Sequence, residues 1–217
     1  MRLGKTLATA LIAMACGMAA ARADIIPANG LLEFEVLRDG SSIGSHVLRF
    51  DQQGGALTVD IRTDIAVKLP LVDIALYRFE HQGREIWQDG KLVALTSTTN
   101  DDGKPHHLSV AARDGGLTVD GDAGAHASDL AIIPASLWNP AITAQDHILN
   151  TLDGRGMDVT VTDLGEEVVE TGHGKVTARH YSVRGDLDRD IWYDAHQVLT
   201  QVRFKASDGS DVRYALK

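Results

Sequence analysis

The stretch LTVDIRTDIAVKL, Leu57 to Leu69, decides the fold class. Leu57, Val59, Ile61, Ile65, Val67 and Leu69 fall on one side of a period of two. Thr58, Asp60, Arg62, Asp64 and Lys68 fall on the other. Successive side chains of a strand point to opposite faces, so the alternation describes an antiparallel strand with one buried and one wet face.

The pattern continues outward. Val198, Val202 and Phe204 share a face, and so do Val212, Tyr214 and Leu216. Seven Asp-Gly pairs punctuate the runs, at 39–40, 89–90, 102–103, 114–115, 120–121, 153–154 and 208–209. Asp-Gly adopts positive φ at low cost and between alternating runs is a strong hairpin signal. Strands are expected near 31–38, 43–51, 56–69, 74–82, 84–89, 91–100, 105–113 and 116–120, then near 156–163, 166–171, 175–184, 187–194, 197–206 and 210–216. Prolines 27, 70, 105, 134 and 140 lie at ends or breaks of these runs, as ladder hydrogen bonding requires. Pro140–Asn150 comes nearest to a helical stretch.

Several runs exceed the usual strand length of about 5–6 residues, and long antiparallel strands coil rather than stay flat. The expected architecture is mainly β: a large curved antiparallel sheet forming a barrel or half-barrel of roughly a dozen strands. Such a sheet must cover its concave side. The least sheet-like segment, ASDLAIIPASLWNPAITAQDHILN from Ala127 to Asn150, is expected to supply a short helical or irregular plug or lid.

The first residues look like a targeting segment. Arg2 and Lys5 precede an apolar run, Thr6 to Ala20, and Ala21-Arg22-Ala23 offers a cleavage site before Asp24. The run is short of the roughly 20 residues a membrane-spanning helix needs. Ala13-Met14-Ala15-Cys16 resembles a lipoprotein site, but Ala13 stands where Leu is favoured and the A-x-A site follows. The expected product is residues 24–217, one β-rich domain, exported to the periplasm. Removing Arg2, Lys5 and Arg22 from 21 basic residues leaves 18 against 30 acidic ones, a net charge of −12. That surface repels nucleic acid and anionic headgroups, so no nucleic-acid partner is expected. The single cysteine leaves with the leader, and with it any disulfide, thiol nucleophile or Cys metal ligand.

EIWQDGKLVALTSTTNDDGK, Glu85 to Lys104, is echoed by DIWYDAHQVLTQVRFKASDGS, Asp190 to Ser210. Both run acid-Ile-Trp-x-Asp, then an alternating stretch, then Asp-Gly. Asp89 and Asp194 are better turn formers than an acid–base pair. Trp87 and Trp192 hold matching places, each after an Ile of the opposite face, and Trp138 lies in the irregular segment. Trp87, Trp138 and Trp192, with Tyr77 and Tyr193, are the expected ligand-binding residues, the tryptophans as walls of one apolar concavity. Simple core packing is the competing account of each.

No catalytic residue, metal ligand or cofactor is expected. Ser136 lacks a G-x-S-x-G elbow and a nearby His. His106 and His107 are adjacent and point to opposite faces, while His173, His180 and His196 lie on neighbouring expected strands. Asp186, Asp188 and Asp190 share a face, but Ile191 and Gln197 stand where a calcium loop needs Gly and Glu. The expected partner is a lipid or other apolar small molecule, bound without chemistry by an exported cell-envelope protein. A structural or partner-binding protein with a filled core is the alternative, and a metal-assisted enzyme stands behind both. No transmembrane span is expected in the mature chain.

FEVLRDGSSIGSHVLRF, EIWQDGKL, IIPASLWNP and DIWYD, in this order, resemble a family of uncharacterised exported proteobacterial proteins. The resemblance spans nearly the whole mature chain and carries no activity to particular residues. The end of the chain, Trp-Tyr-Asp, an alternating strand, Asp-Gly and a last strand, is also similar to periplasmic lipoprotein carriers of the LolA type. That likeness implies a curved half-barrel with an apolar concave face and a helical plug.

Overall fold

The computed structural model describes residues 25–68, 75–122 and 124–217. The expected leader with Cys16 lies outside them, as does Leu69 at the end of the opening stretch.

Among the described residues fifteen strands form one sheet. They are β1 (Leu31–Arg38), β2 (Ser41–Gln53), β3 (Ala56–Lys68), β4 (Ala75–Gln88), β5 (Lys91–Asp101), β6 (Lys104–Arg113), β7 (Gly116–Gly121), β8 (His126–Ser128), β9 (Ile133–Pro134), β10 (His147–Leu149), β11 (Gly156–Thr171), β12 (Gly174–Gly185), β13 (Arg189–Asp194), β14 (Leu199–Lys205) and β15 (Asp211–Leu216). The spatial order runs from β8 down to β1, then from β15 down to β9. Pairing is antiparallel except between β9 and β10. β1 pairs with β15, joining the two halves of the chain. The two edges, β8 and β9, do not pair with each other, so the curved sheet is a half-barrel rather than a closed barrel.

Turn chemistry sets this meander. Asp39, Asp89, Asp102 and Asp114 have φ of 47°, 51°, 51° and 51°, each followed by a glycine of positive φ. These Asp-Gly pairs form two-residue hairpin loops whose twist matches that of the flanking strands.

Two expected breaks are absent. Gly83 sits inside β4, paired with Ile61 on one side and Ser97 on the other. β11 runs unbroken over 16 residues, with the extra residue Leu164 absorbed as a bulge. Within the expected helical stretch only Pro140–Ala144 forms a short 3-10 turn, and β10 takes the remainder of the apolar run.

The concave face carries one continuous core. Phe34, Leu48, Val59 and Leu95 come from one half, and Val183, Ile191 and Val202 from the other. Ile132, Ile133, Trp138, Ile142, Ile148 and Leu149 of the 127–150 segment are buried in the same cluster. That segment is therefore a plug built into the core. The loop after β10 reaches the other half of the sheet: Ser97 Oγ of β5 donates to the Thr151 carbonyl at 2.6 Å. Gly121 makes this approach possible, since a Cβ there would stand 2.5 Å from the Asp153 carbonyl oxygen.

Candidate functional site

Glu85 and Trp87 lie two residues apart on β4 and so point to the same, concave side. Glu85 is 1% exposed. Its Oε2 accepts hydrogen bonds from Trp87 Nε1 at 2.8 Å and from Trp138 Nε1 at 2.9 Å. Trp138 meets Trp87 edge-on, with centroids 5.6 Å apart, and Phe50 likewise at 5.4 Å. Leu137 before it has φ 66°, an uncommon conformation for a side-chain-bearing residue. The Tyr193 hydroxyl holds it there, donating to the Leu137 carbonyl at 2.6 Å. Burial pushes the Glu85 carboxyl pKa up, against the opposing pull of Trp138, Ser136 and Trp87. Glu85 Oε1 and Ser136 Oγ are buried and make no hydrogen bond of acceptable geometry, although Ser136 lies near enough to bias the carboxyl. A neutral Glu85 suits this setting, because a carboxylate buried without a cation is costly.

The Trp-containing echo does not repeat in three dimensions. On β13 it is Ile191 and Tyr193 that enter the main core, while Trp192 belongs to a separate cluster with Val169 and Ala178. Trp192 Nε1 donates to Glu167 Oε1 at 2.5 Å, and the ring stacks on His180 with centroids 4.1 Å apart. The two copies are out of phase by one residue, which exchanges the faces of a strand. In the first copy the neighbouring strand carries its extra residue opposite Ile86/Trp87, in the second opposite Trp192/Tyr193. The expected wall of three tryptophans is thus corrected to two: Trp87 and Trp138 meet, with Tyr193 behind them. Tyr77 stands elsewhere, exposed, its hydroxyl donating to Asp101 Oδ1 at 2.8 Å. Asp89 and Asp194 are both turn residues: Asp89 has positive φ and Asp194 Oδ1 accepts from the backbone of His196 and Val198. Among the described residues no three His, Cys, Asp or Glu side chains gather as a metal site.

The aromatic node fills the end of the half-barrel near the turns at 54–55 and 89–90. The opposite end, near the turns at 39–40 and 102–103, is hollow. A cavity of about 700 Å³ opens there, with Ile43, Ile65, Val67, Leu76, Phe79 and Phe204 among its walls. It adjoins an inner recess of about 270 Å³ lined in part by His46, His81 and Ser136. Phe79, Arg189, Phe204 and Tyr214 border both spaces. In the recess His46 Nδ1 lies 2.7 Å from Thr63 Oγ1, and His81 Nδ1 lies 2.7 Å from Thr99 Oγ1. Desolvation lowers His46 to about 3, helped by His81, and His81 to about 4. Both rings are neutral at physiological pH. Sequence reasoning did not single out these two. The signal was available, since His46 alternates in phase with Leu48 and Phe50, and His81 with Glu85 and Trp87.

The family model for DUF6134, a domain of unknown function, matches residues 34–217. The chain belongs to this family. It is also similar to the crystal structure of a β-barrel-like protein of domain of unknown function DUF1849 from Brucella abortus, with a TM-score of 0.60 and 13% identity over 86% of this chain and 94% of that one. At that identity the likeness shows the fold alone. No curated protein matches the chain.

Two outcomes follow from the buried polar groups. Glu85→Leu leaves two indole N–H groups without an acceptor, at about 1–3 kcal/mol each, whereas Glu85→Gln keeps one. Urea unfolding at neutral pH should show Glu85→Leu strongly destabilised and Glu85→Gln at least as stable as wild type. A raised folded pKa means Glu85's contribution is present below the ordinary glutamate value and lost as pH rises through the raised one, so the glutamine variant's advantage grows with pH. The histidines act in the opposite sense. Their contribution is full above about pH 6.5 and is lost as pH falls toward about 4 for His81 and about 3 for His46. His81→Gln should flatten the stability–pH slope between pH 6.5 and 4 by up to about 1.4 kcal/mol per pH unit.

Proposed function

We propose that this protein binds a lipid or other apolar small molecule in the hollow end of its half-barrel, acting without chemistry as an exported protein of the cell envelope. One observation carries the proposal: the mouth cavity of about 700 Å³ with aliphatic and aromatic walls. Small-molecule sites typically occupy about 300–1,000 Å³ and are mostly apolar with few polar groups. The inner recess behind it adds the imidazoles of His46 and His81 and the Thr63 hydroxyl, with Arg155, Asp186 and Arg189 among its other lining residues.

In this proposal Trp87, Trp138 and Tyr193 close off the filled end and Tyr77 stands at the rim, while Trp192 takes no part. A second hollow, of about 630 Å³ near Asn139 and Tyr193, is a poorer candidate because Ile25 is the single large aliphatic residue of its lining, against Ile43, Ile65, Val67, Leu76 and Val212 in the mouth. Export rests on the leader sequence.

The test is saturable binding of the neutral fluorophore N-phenyl-1-naphthylamine and its displacement by decan-1-ol. Leu76 is 58% exposed at the mouth, so Leu76→Asp should leave the melting temperature unchanged. It should weaken probe binding about tenfold, since burying a leucine is worth about 1.5–3 kcal/mol. A probe that never saturates, or that binds the Leu76→Asp protein equally well, contradicts the proposal.

A further inference from the structure

The mouth cavity is bordered by three cations, and two of them are already engaged. Arg38 donates to Ser210 Oγ at 2.7 Å and pairs with Asp208. Lys205 Nζ lies 2.9 Å from Asp211. The cavity's own carboxylates are engaged too, Asp208 by Arg38 and Asp101 by the Tyr77 hydroxyl.

Arg189 differs from both. Its Nη1 donates at 2.7 Å to the carbonyl of its chain neighbour Asp188, and its guanidinium lies 3.7 Å from the centroid of the Phe204 ring. Among the described residues it makes no ion pair. The residue is largely buried, and desolvation lowers its pKa from the usual arginine value. Guanidinium nevertheless stays charged, and a charge partly withdrawn from water with a carbonyl and a ring face beside it, but no carboxylate bonded to it, is costly. An anionic group on a ligand would supply the carboxylate that the fold does not.

Its position says what that partner is. On β13, Arg189 shares the concave face with Ile191 and Tyr193. It stands at the junction of the mouth cavity and the inner recess. The other side of the mouth is aliphatic, with Ile43 of β2, Ile65 and Val67 of β3, and Leu76 of β4. A single unpaired guanidinium facing an apolar wall is complementary to a molecule with one anionic group and a hydrocarbon chain. The chain as a whole carries a net charge of −9, so a preference for anions cannot arise from its overall field. It has to be local.

We infer that the hollow end takes a single-chain amphiphile with an anionic headgroup, a carboxylate in the simplest case, paired with Arg189 while its alkyl chain lies on the aliphatic wall of β2 to β4. The inference rests on the ligand-binding function proposed above and adds the class of ligand. Arg189 suits the task because its planar fork offers a carboxylate two parallel donors.

The test compares decanoate with decan-1-ol, each displacing N-phenyl-1-naphthylamine from the purified protein. Wild type should hold decanoate at least about tenfold more tightly than the alcohol, as a charge-assisted hydrogen bond implies. Arg189→Leu should abolish that preference by weakening decanoate far more than decan-1-ol, while Arg189→Lys restores part of it. Without ligand, Arg189→Leu should melt at or above the wild-type temperature. Equal affinities in wild type, or unaltered decanoate binding by Arg189→Leu, would overturn the headgroup assignment and leave an apolar site standing. Binding of neither compound to wild type would overturn the site itself, and the inference with it. An Arg189→Leu protein that unfolds or melts lower would assign the charge a structural role instead.

Discussion

One acceptor organises the interior. Glu85 Oε2 receives two indole N–H groups, from Trp87 on its own strand and from Trp138 in the segment that crosses the concave face. A curved antiparallel sheet with one apolar side must cover that side, and the cover has to be held in register with it. Packing alone is non-directional. A shared hydrogen-bond acceptor inside a low-dielectric core is directional, and leaving its donors unmade is expensive. The Glu85 node therefore fixes where Trp138 sits, and the Tyr193 hydroxyl fixes the backbone just before it. Ile132, Ile133, Ile142, Ile148 and Leu149 follow into the core around that point.

The same anchor divides the half-barrel in two. The plug is pinned at the end near the turns at 54–55 and 89–90, so the far end is left without a cover. There the inward-facing side chains border open space, and polar groups placed among them have a different meaning. His46 and His81 are satisfied by threonine hydroxyls and kept neutral. Arg189 is charged and, among the described residues, makes no ion pair. The loop after β10 ties the two halves of the sheet across the concave side through the Ser97–Thr151 bond and the close backbone approach at Gly121.

The architecture was legible because it is written in local rules. Period-two alternation in stretches such as Leu57–Leu69, with Asp-Gly turns at 39–40, 89–90, 102–103 and 114–115, specifies an antiparallel meander one hairpin at a time. Glycine misled twice, at Gly83 and near Gly165, since a strand tolerates a glycine that pairs or bulges. The tryptophan echo misled for a different reason. Similar sequence does not fix which face a residue takes: Trp87 enters the main core, whereas on β13 Ile191 and Tyr193 enter it and Trp192 faces away. Glu85 and Arg189 went unnoticed because charged residues on a strand are ordinarily assigned to the wet side. Their phase relative to Trp87 and to Ile191 placed them inside all along.

The central claim is that the interior has a permanently packed end and a hollow one, with Trp138 a fixed part of the former. Hydrogen exchange of the Trp138 indole N–H, followed by NMR with and without added decan-1-ol, tests this directly. The account predicts slow exchange and an unshifted resonance in both conditions, with ligand-induced changes confined to Phe79, Phe204 and their neighbours. Rapid exchange, or loss of protection when the alcohol is added, would show the segment to be a displaceable lid and contradict the division of the interior.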